Sequence, residues 1–119
     1  MSALIKIWGT TECLIDTPLF AMHRLTIKPG FRCSLHTHRF KWNCFFVVYG
    51  TLFLDIVNGD MGSMVTEEKL DIGGFTTIAP GVHHQFRTEE DGPITSAIEC
   101  YYVGALSEDI IRRNVGGPV

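Results

Sequence analysis

Three histidines carry the chemistry available to this sequence. His36 and His38 stand two residues apart in GFRCSLHTHRFKWNCFFVVYG, residues 30–50. Side chains alternate faces along a strand, so positions i and i+2 point the same way. Two imidazoles on one face can grip a single metal ion. His84 arrives much later, in IAPGVHHQF (residues 78–86), behind a Pro80-Gly81 turn. From a neighbouring strand it could reach the same point. Imidazole is the commonest metal ligand and binds zinc at about 2.0–2.1 Å. Other first-row ions follow the Irving–Williams order, so the expected cofactor is one divalent ion: zinc, manganese, iron or nickel.

The elements that must position these residues read as short strands. Residues 20–28 alternate, with Ala21, His23, Leu25 and Ile27 on one face and Phe20, Met22, Arg24, Thr26 and Lys28 on the other. Pro29-Gly30 is a turn, and residues 31–38 read as the next strand. Residues 43–49 (NCFFVVY) are apolar on both faces, which suits a strand covered on both sides. Asn43, Phe45, Val47 and Tyr49 share parity and are expected to line one interior. Further strands read at residues 12–16, 51–57, 64–66, 75–78, 83–87 and 94–103. An apolar lead-in (Leu4, Ile5, Ile7, Trp8) precedes them, and EEKLDIGG (residues 67–74) separates two of them. Ser107 can cap a short helix over residues 107–113, with acids in its first turn and arginines in its last. Many short strands punctuated by Gly and Pro predict an all-β antiparallel sandwich or barrel.

A chain of 119 residues is one domain, residues 1–119, by length alone. With 45% apolar and 19% charged residues it can bury a core without disulfide staples. A net charge of −3, with scattered basic residues, argues against a nucleic-acid partner. No apolar run reaches the length of about 18 residues that a membrane span needs, and the N-terminus has no signal-peptide pattern. Cys13, Cys33, Cys44 and Cys100 form no C-x-x-C pair and read as small buried hydrophobes. A reduced, cytoplasmic setting is the expectation.

The spacing of the histidines resembles the cupin family. Its first motif, G(x)5HxH(x)3-4E(x)6G, is matched by Gly30, His36, His38 and Gly50, with Asn43 in the glutamate slot. Its second, G(x)5PxG(x)2H(x)3N, is matched by Gly73, Gly81 and His84, with Ala79 in the first proline slot and Thr88 in the asparagine slot. The resemblance implies a double-stranded β-helix, the cupin jelly-roll barrel, with His36, His38 and His84 as metal ligands. Asn43 leaves three neutral imidazoles and removes a built-in carboxylate. Three protein ligands plus an exchangeable position still suit Lewis-acid chemistry.

Both ends look like the mannose-6-phosphate isomerase-like cupins, which include the C-terminal domain of the bifunctional mannose isomerase and guanylyltransferase. The matching stretches are residues 6–12 (KIWGTTE), residues 25–36 (LTIKPGFRCSLH) and residues 107–112 (SEDIIR). That likeness implies a sugar or sugar-phosphate ligand and an aldose–ketose isomerase or epimerase. Such a reaction moves a proton between adjacent carbons. Lys41 and Arg112 are candidates for holding a phosphate or an enediolate charge, and Glu99 is a candidate base. A non-catalytic carbohydrate-binding cupin and a three-histidine iron dioxygenase are the alternatives. His83, next to His84, faces away on a strand. His23 is either a core-edge residue or part of the site. A homodimer is expected, with the apolar lead-in covering a sheet edge.

Overall fold

The computed structural model describes residues 3–58, 64–103 and 115–118. Every regular element among them is a strand: β1 (Ala3–Lys6), β2 (Gly9–Asp16), β3 (Phe20–Ile27), β4 (Trp42–Tyr49), β5 (Leu52–Asn58), β6 (Met64–Leu70), β7 (Phe75–Ile78), β8 (His83–Arg87) and β9 (Thr95–Tyr102). They form two antiparallel sheets, one ordered β1-β2-β3-β9-β4-β7 and the other β6-β5-β8. The last strand lies between β3 and β4, so it ties the two halves of the larger sheet together. The expected helix over residues 107–113 lies outside the described residues. Among those described, no helix is long and apolar enough to cross a membrane.

The core sits between the sheets. Leu25 and Ile27 from β3, Phe45 and Val47 from β4 and Ala97 from β9 meet Leu52 and Leu54 from β5 and Phe86 from β8. Burying each large side chain contributes about 1.5–3 kcal/mol. Alternation on β3 thus resolves with Leu25 and Ile27 inward, and His23 goes with them.

Several sequence readings need correction. The lead-in is itself partly a strand: β1 is an edge, and Leu4 and Ile5 on it are exposed, as is Ile7 just beyond it. Glu67, Glu68 and Lys69 belong to edge strand β6 rather than to a separating loop. Charges suit an edge, because they discourage pairing with another chain. The expected strand over residues 31–38 is not regular; it holds only two isolated bridges, Arg32 to Arg87 and His36 to His84. On β4, Phe46 and Val48 remain exposed, so only one face is covered. Tyr49 is 58% exposed, against the parity expectation. A register shift against β9 between Val47 and Tyr49 is the reason, because a bulge re-aims every later side chain.

Gly50, which ends β4, is required by close approach. Its φ is +86°, and a Cβ there would stand 2.5 Å from Thr95 Oγ1. That hydroxyl is already committed: it donates to the Thr51 carbonyl (3.0 Å) and accepts from the Thr51 N–H (3.2 Å).

Candidate metal centre

The irregular 30–38 segment runs antiparallel beside β8. Gly30 N–H donates to the Glu89 carbonyl, Thr88 N–H to Phe31 and Cys33 N–H to Phe86. His36 and His84 then exchange two backbone bonds, at 3.0 and 2.8 Å. From Cys33 to His36 is three residues, whereas from Phe86 to His84 is two. One extra residue is therefore accommodated at Ser34-Leu35, as in a β-bulge. Without it, Cys33 and His36 would face opposite ways. With it, both line the same cavity. Gly81 N–H donates to the His38 carbonyl (2.8 Å), so the Pro80-Gly81 turn fixes the far end of the segment. At the near end Thr88, in the slot where the family has asparagine, donates its hydroxyl to the Lys28 carbonyl (2.6 Å) and accepts from Phe31 N–H (3.3 Å).

The three histidines converge. One ring nitrogen from each of His36, His38 and His84 lies within 4.8 Å of the others. The Nδ1–H of His36 donates to the Ser34 carbonyl (2.7 Å), and that of His84 to the Val82 carbonyl (3.0 Å). Each bond fixes the tautomer and leaves a lone pair on Nε2. His38 Nε2 and Asn43 Oδ1 are buried with no hydrogen-bond partner. Orphaned buried acceptors beside aimed lone pairs are what a cation site requires, so this donor set fits a divalent metal ion. Burial, followed by the neighbouring His36, His84 and Lys41, holds His38 down at about 4. Burial also lowers His84, with His36 and His83 acting the same way and its bond to Val82 opposing them. Both rings are thus held neutral at neutral pH, the form that binds metal. His83 is exposed and turned away.

Asn43 is fully buried. Its amide donates to Glu99 Oε2 (3.3 Å) and, in the metal-free protein, to His84 Nε2 (3.2 Å), a bond that an ion on that nitrogen would replace. A carboxylate therefore does stand behind the histidines, one strand over from the family's position. Glu99 is 6% exposed and is pushed up by burial, against hydrogen bonds from Asn43 and Tyr101 and the charges of His23 and His36. Tyr101 packs edge-on against His38 and His23, and burial and then Glu99 raise its phenol.

A cavity of about 720 Å³ adjoins the cluster. His36, His23, Glu99 and Tyr101 line its inner part, with Trp8 and Arg32 among the other walls. His23 lies opposite Glu99 across β3 and β9, and its Nδ1 is buried without a partner. Its shared parity with Leu25 and Ile27 is the signal that could have placed it inside. Trp8 and Arg32 carried no such signal. Lys41 is exposed, with Nζ 5.2 Å over the Tyr101 ring, so it stands beside the centre rather than in it. Arg112 lies outside the described residues.

KdgF from Halomonas sp. superposes with a TM-score of 0.72 at 13% identity, over 88% of this chain and 90% of that one. The cupin domain of Cnp3 from Schizosaccharomyces pombe gives 0.67 at 10% identity, over 80% and 64%. The fold is that of a cupin. Oxalate decarboxylase from Bacillus subtilis contains the same cupin fold within a longer chain: TM-score 0.72, 18% identity, 87% of this chain and 27% of that one. In sequence, the chain is 30% identical over 106 residues to the xanthan biosynthesis protein XanB of Xanthomonas campestris pv. campestris (strain B100). That match covers 89% of this chain and 21% of XanB, so the chain spans about a fifth of that relative. No family model matches.

Proposed function

We propose that this cupin holds one divalent metal ion on His36, His38 and His84 and acts on a sugar or sugar-phosphate in the adjoining cavity. The reaction class is aldose–ketose isomerisation or epimerisation, of the mannose-6-phosphate isomerase-like kind. The observation that carries the reading is Glu99: a buried carboxylate lining the same cavity as His36. When bound, the ion would polarise a substrate oxygen as a Lewis acid. Glu99 would take a proton from one carbon and return it to the next. Its raised affinity for protons brings it closer to the working pH, which favours such a shuttle. Asn43 holds one Glu99 oxygen, and Tyr101 orients the carboxylate further. Lys41 and Arg112 remain candidates for steadying developing charge. The XanB match, named for xanthan biosynthesis, supports a carbohydrate ligand, and the Mn(II) centres of the Bacillus subtilis oxalate decarboxylase support a divalent ion.

The test is NMR of mannose-6-phosphate and fructose-6-phosphate incubated with the manganese- or zinc-loaded protein. Interconversion is expected, and Glu99→Gln should slow it by about a hundredfold or more while metal content is retained. Sugar binding without turnover would replace the enzyme with a binding module. The all-neutral donor set favours one second reading, an iron dioxygenase. Oxygen uptake by the iron-loaded protein with thiols or diphenols would establish it.

The same proposal includes a homodimer in which β1, an edge strand with exposed Leu4 and Ile5, pairs with a second copy. Light scattering that returned the 13.3 kDa monomer mass would remove it.

A further inference from the structure

The cavity has two chemically different ends. Its inner end presents His36, His23, Glu99 and Tyr101, the last three on β3 and β9. Toward the exposed surface it is lined by Arg32 and Lys6, with Trp8 as an aromatic wall. The arginines around it differ in one respect. Arg24 faces Glu12, and Arg87 is engaged by both Asp55 and Glu67. Arg32 bridges to Arg87 through its backbone, yet among the described residues no carboxylate pairs with its guanidinium. The one acid lining the cavity, Glu99, has its polar partners in Asn43 and Tyr101. A protein of net charge −3 therefore carries two cations on the lining of this cavity, neither paired with a carboxylate among the described residues.

We infer that the cavity selects an anionic polyol, a sugar acid or sugar phosphate, whose carboxylate or phosphate sits on Arg32 while its hydroxyls face His23 and Glu99. Guanidinium is the planar fork that matches such oxyanions, and Lys6 adds a second positive charge. Trp8 offers an apolar face to the sugar ring. Arg32 is thus the specificity-determining residue, in a place the sequence reading gave to Lys41 and Arg112. The inference rests on the carbohydrate reading above.

Calorimetric titration of the full chain at low salt tests it, with glucose, glucuronate, glucose-6-phosphate, succinate and inorganic phosphate as probes. At least one charged sugar should bind about tenfold or more tightly than glucose. Whether glucuronate or glucose-6-phosphate holds the advantage distinguishes a carboxylate from a phosphate ligand. Arg32→Gln should bring the charged sugar to the level of glucose, and Arg32→Lys should restore part of the gap. An unchanged circular dichroism spectrum shows that the variants fold. Equal binding of charged and neutral sugars overturns the inference, as does a charge preference that survives Arg32→Gln. If no sugar binds but succinate or phosphate does, in an Arg32-dependent way, the carbohydrate reading falls and the anion site stands. If nothing binds, both fall.

Discussion

His84 and the His36–His38 pair reach one point from opposite kinds of backbone. His84 lies on a regular strand, paired to β5 on one side and to the 30–38 segment on the other, and is 1% exposed. His36 and His38 lie on an irregular segment held by one neighbour, and both are only half-buried. The difference separates structure from grip. The strand side presents a ligand whose place is set by the core, and the segment side presents ligands held by a few backbone bonds and a bulge. A site with one rigid wall and one adjustable wall can close on an ion without disturbing the barrel.

The largest effect should come from comparing the two walls directly. Both His84→Ala and His36→Ala should abolish tight metal binding, by a hundredfold or more on the order of one lost ligand. Only His84→Ala should also destabilise the metal-free protein, by about 2–4 kcal/mol, since it empties a buried, hydrogen-bonded position. His36→Ala should cost under about 1 kcal/mol. Urea denaturation of both apo variants, with metal content measured alongside, checks the pair; equal losses would erase the distinction.

Next comes the tether. Thr88→Val removes the hydroxyl that joins the Lys28 carbonyl and the Phe31 N–H. Stability should fall by about 1–2 kcal/mol. Amide exchange should quicken across residues 30–38 more than across β8, where the pairing with β5 is intact.

The third prediction strengthens the rigid wall. Asn43→Glu places a charged donor on β4 beside His84, and metal affinity should rise about tenfold, read by competition with a chelator. The metal-free variant should be less stable than the parent, because the new carboxylate faces Glu99, whose oxygen lies 3.3 Å from the present amide.

The smallest effect is with pH. His38 is held at about 4, against 6.5 in the unfolded chain. Between those values the unfolded chain binds a proton that the fold refuses, so stability of the apo protein falls as pH drops through that window. Glu99 is shifted upward and acts in the opposite direction. His38→Gln should therefore flatten the acid-side loss, by on the order of 1 kcal/mol after solvent screening, in denaturation curves taken from pH 7 to pH 4.

How far the sequence could be read follows from its period. Alternation places Asn43, Phe45 and Val47 inward correctly, because β4 is regular there. It fails at Tyr49 because an inserted residue reverses parity, and no residue type marks the insertion; a second insertion, at Ser34-Leu35, sets Cys33 and His36 on the same cavity. The convergence of His36 with His38 survives because both lie beyond the bulge. Glu99 could be read as a polar residue on the last strand, but its meeting with Asn43 depends on β9 lying beside β4, a matter of strand order. Asn43 looked like a lost ligand; in the fold it is the link between His84 and that carboxylate. Arg32 and Trp8 lie within the stretches that match the isomerase-like cupins, but no period or spacing marked either as a cavity residue.

Part of the cavity wall comes from a stretch of chain separate from the ion-gripping residues. Lys6, Trp8, Thr11, His23 and Leu25 line the cavity from the first three strands and their connection, whereas His36, His38 and His84 stand on the 30–38 segment and β8. Heritable change confined to the N-terminal hairpin can therefore alter what the chamber admits while its chemical engine is inherited intact.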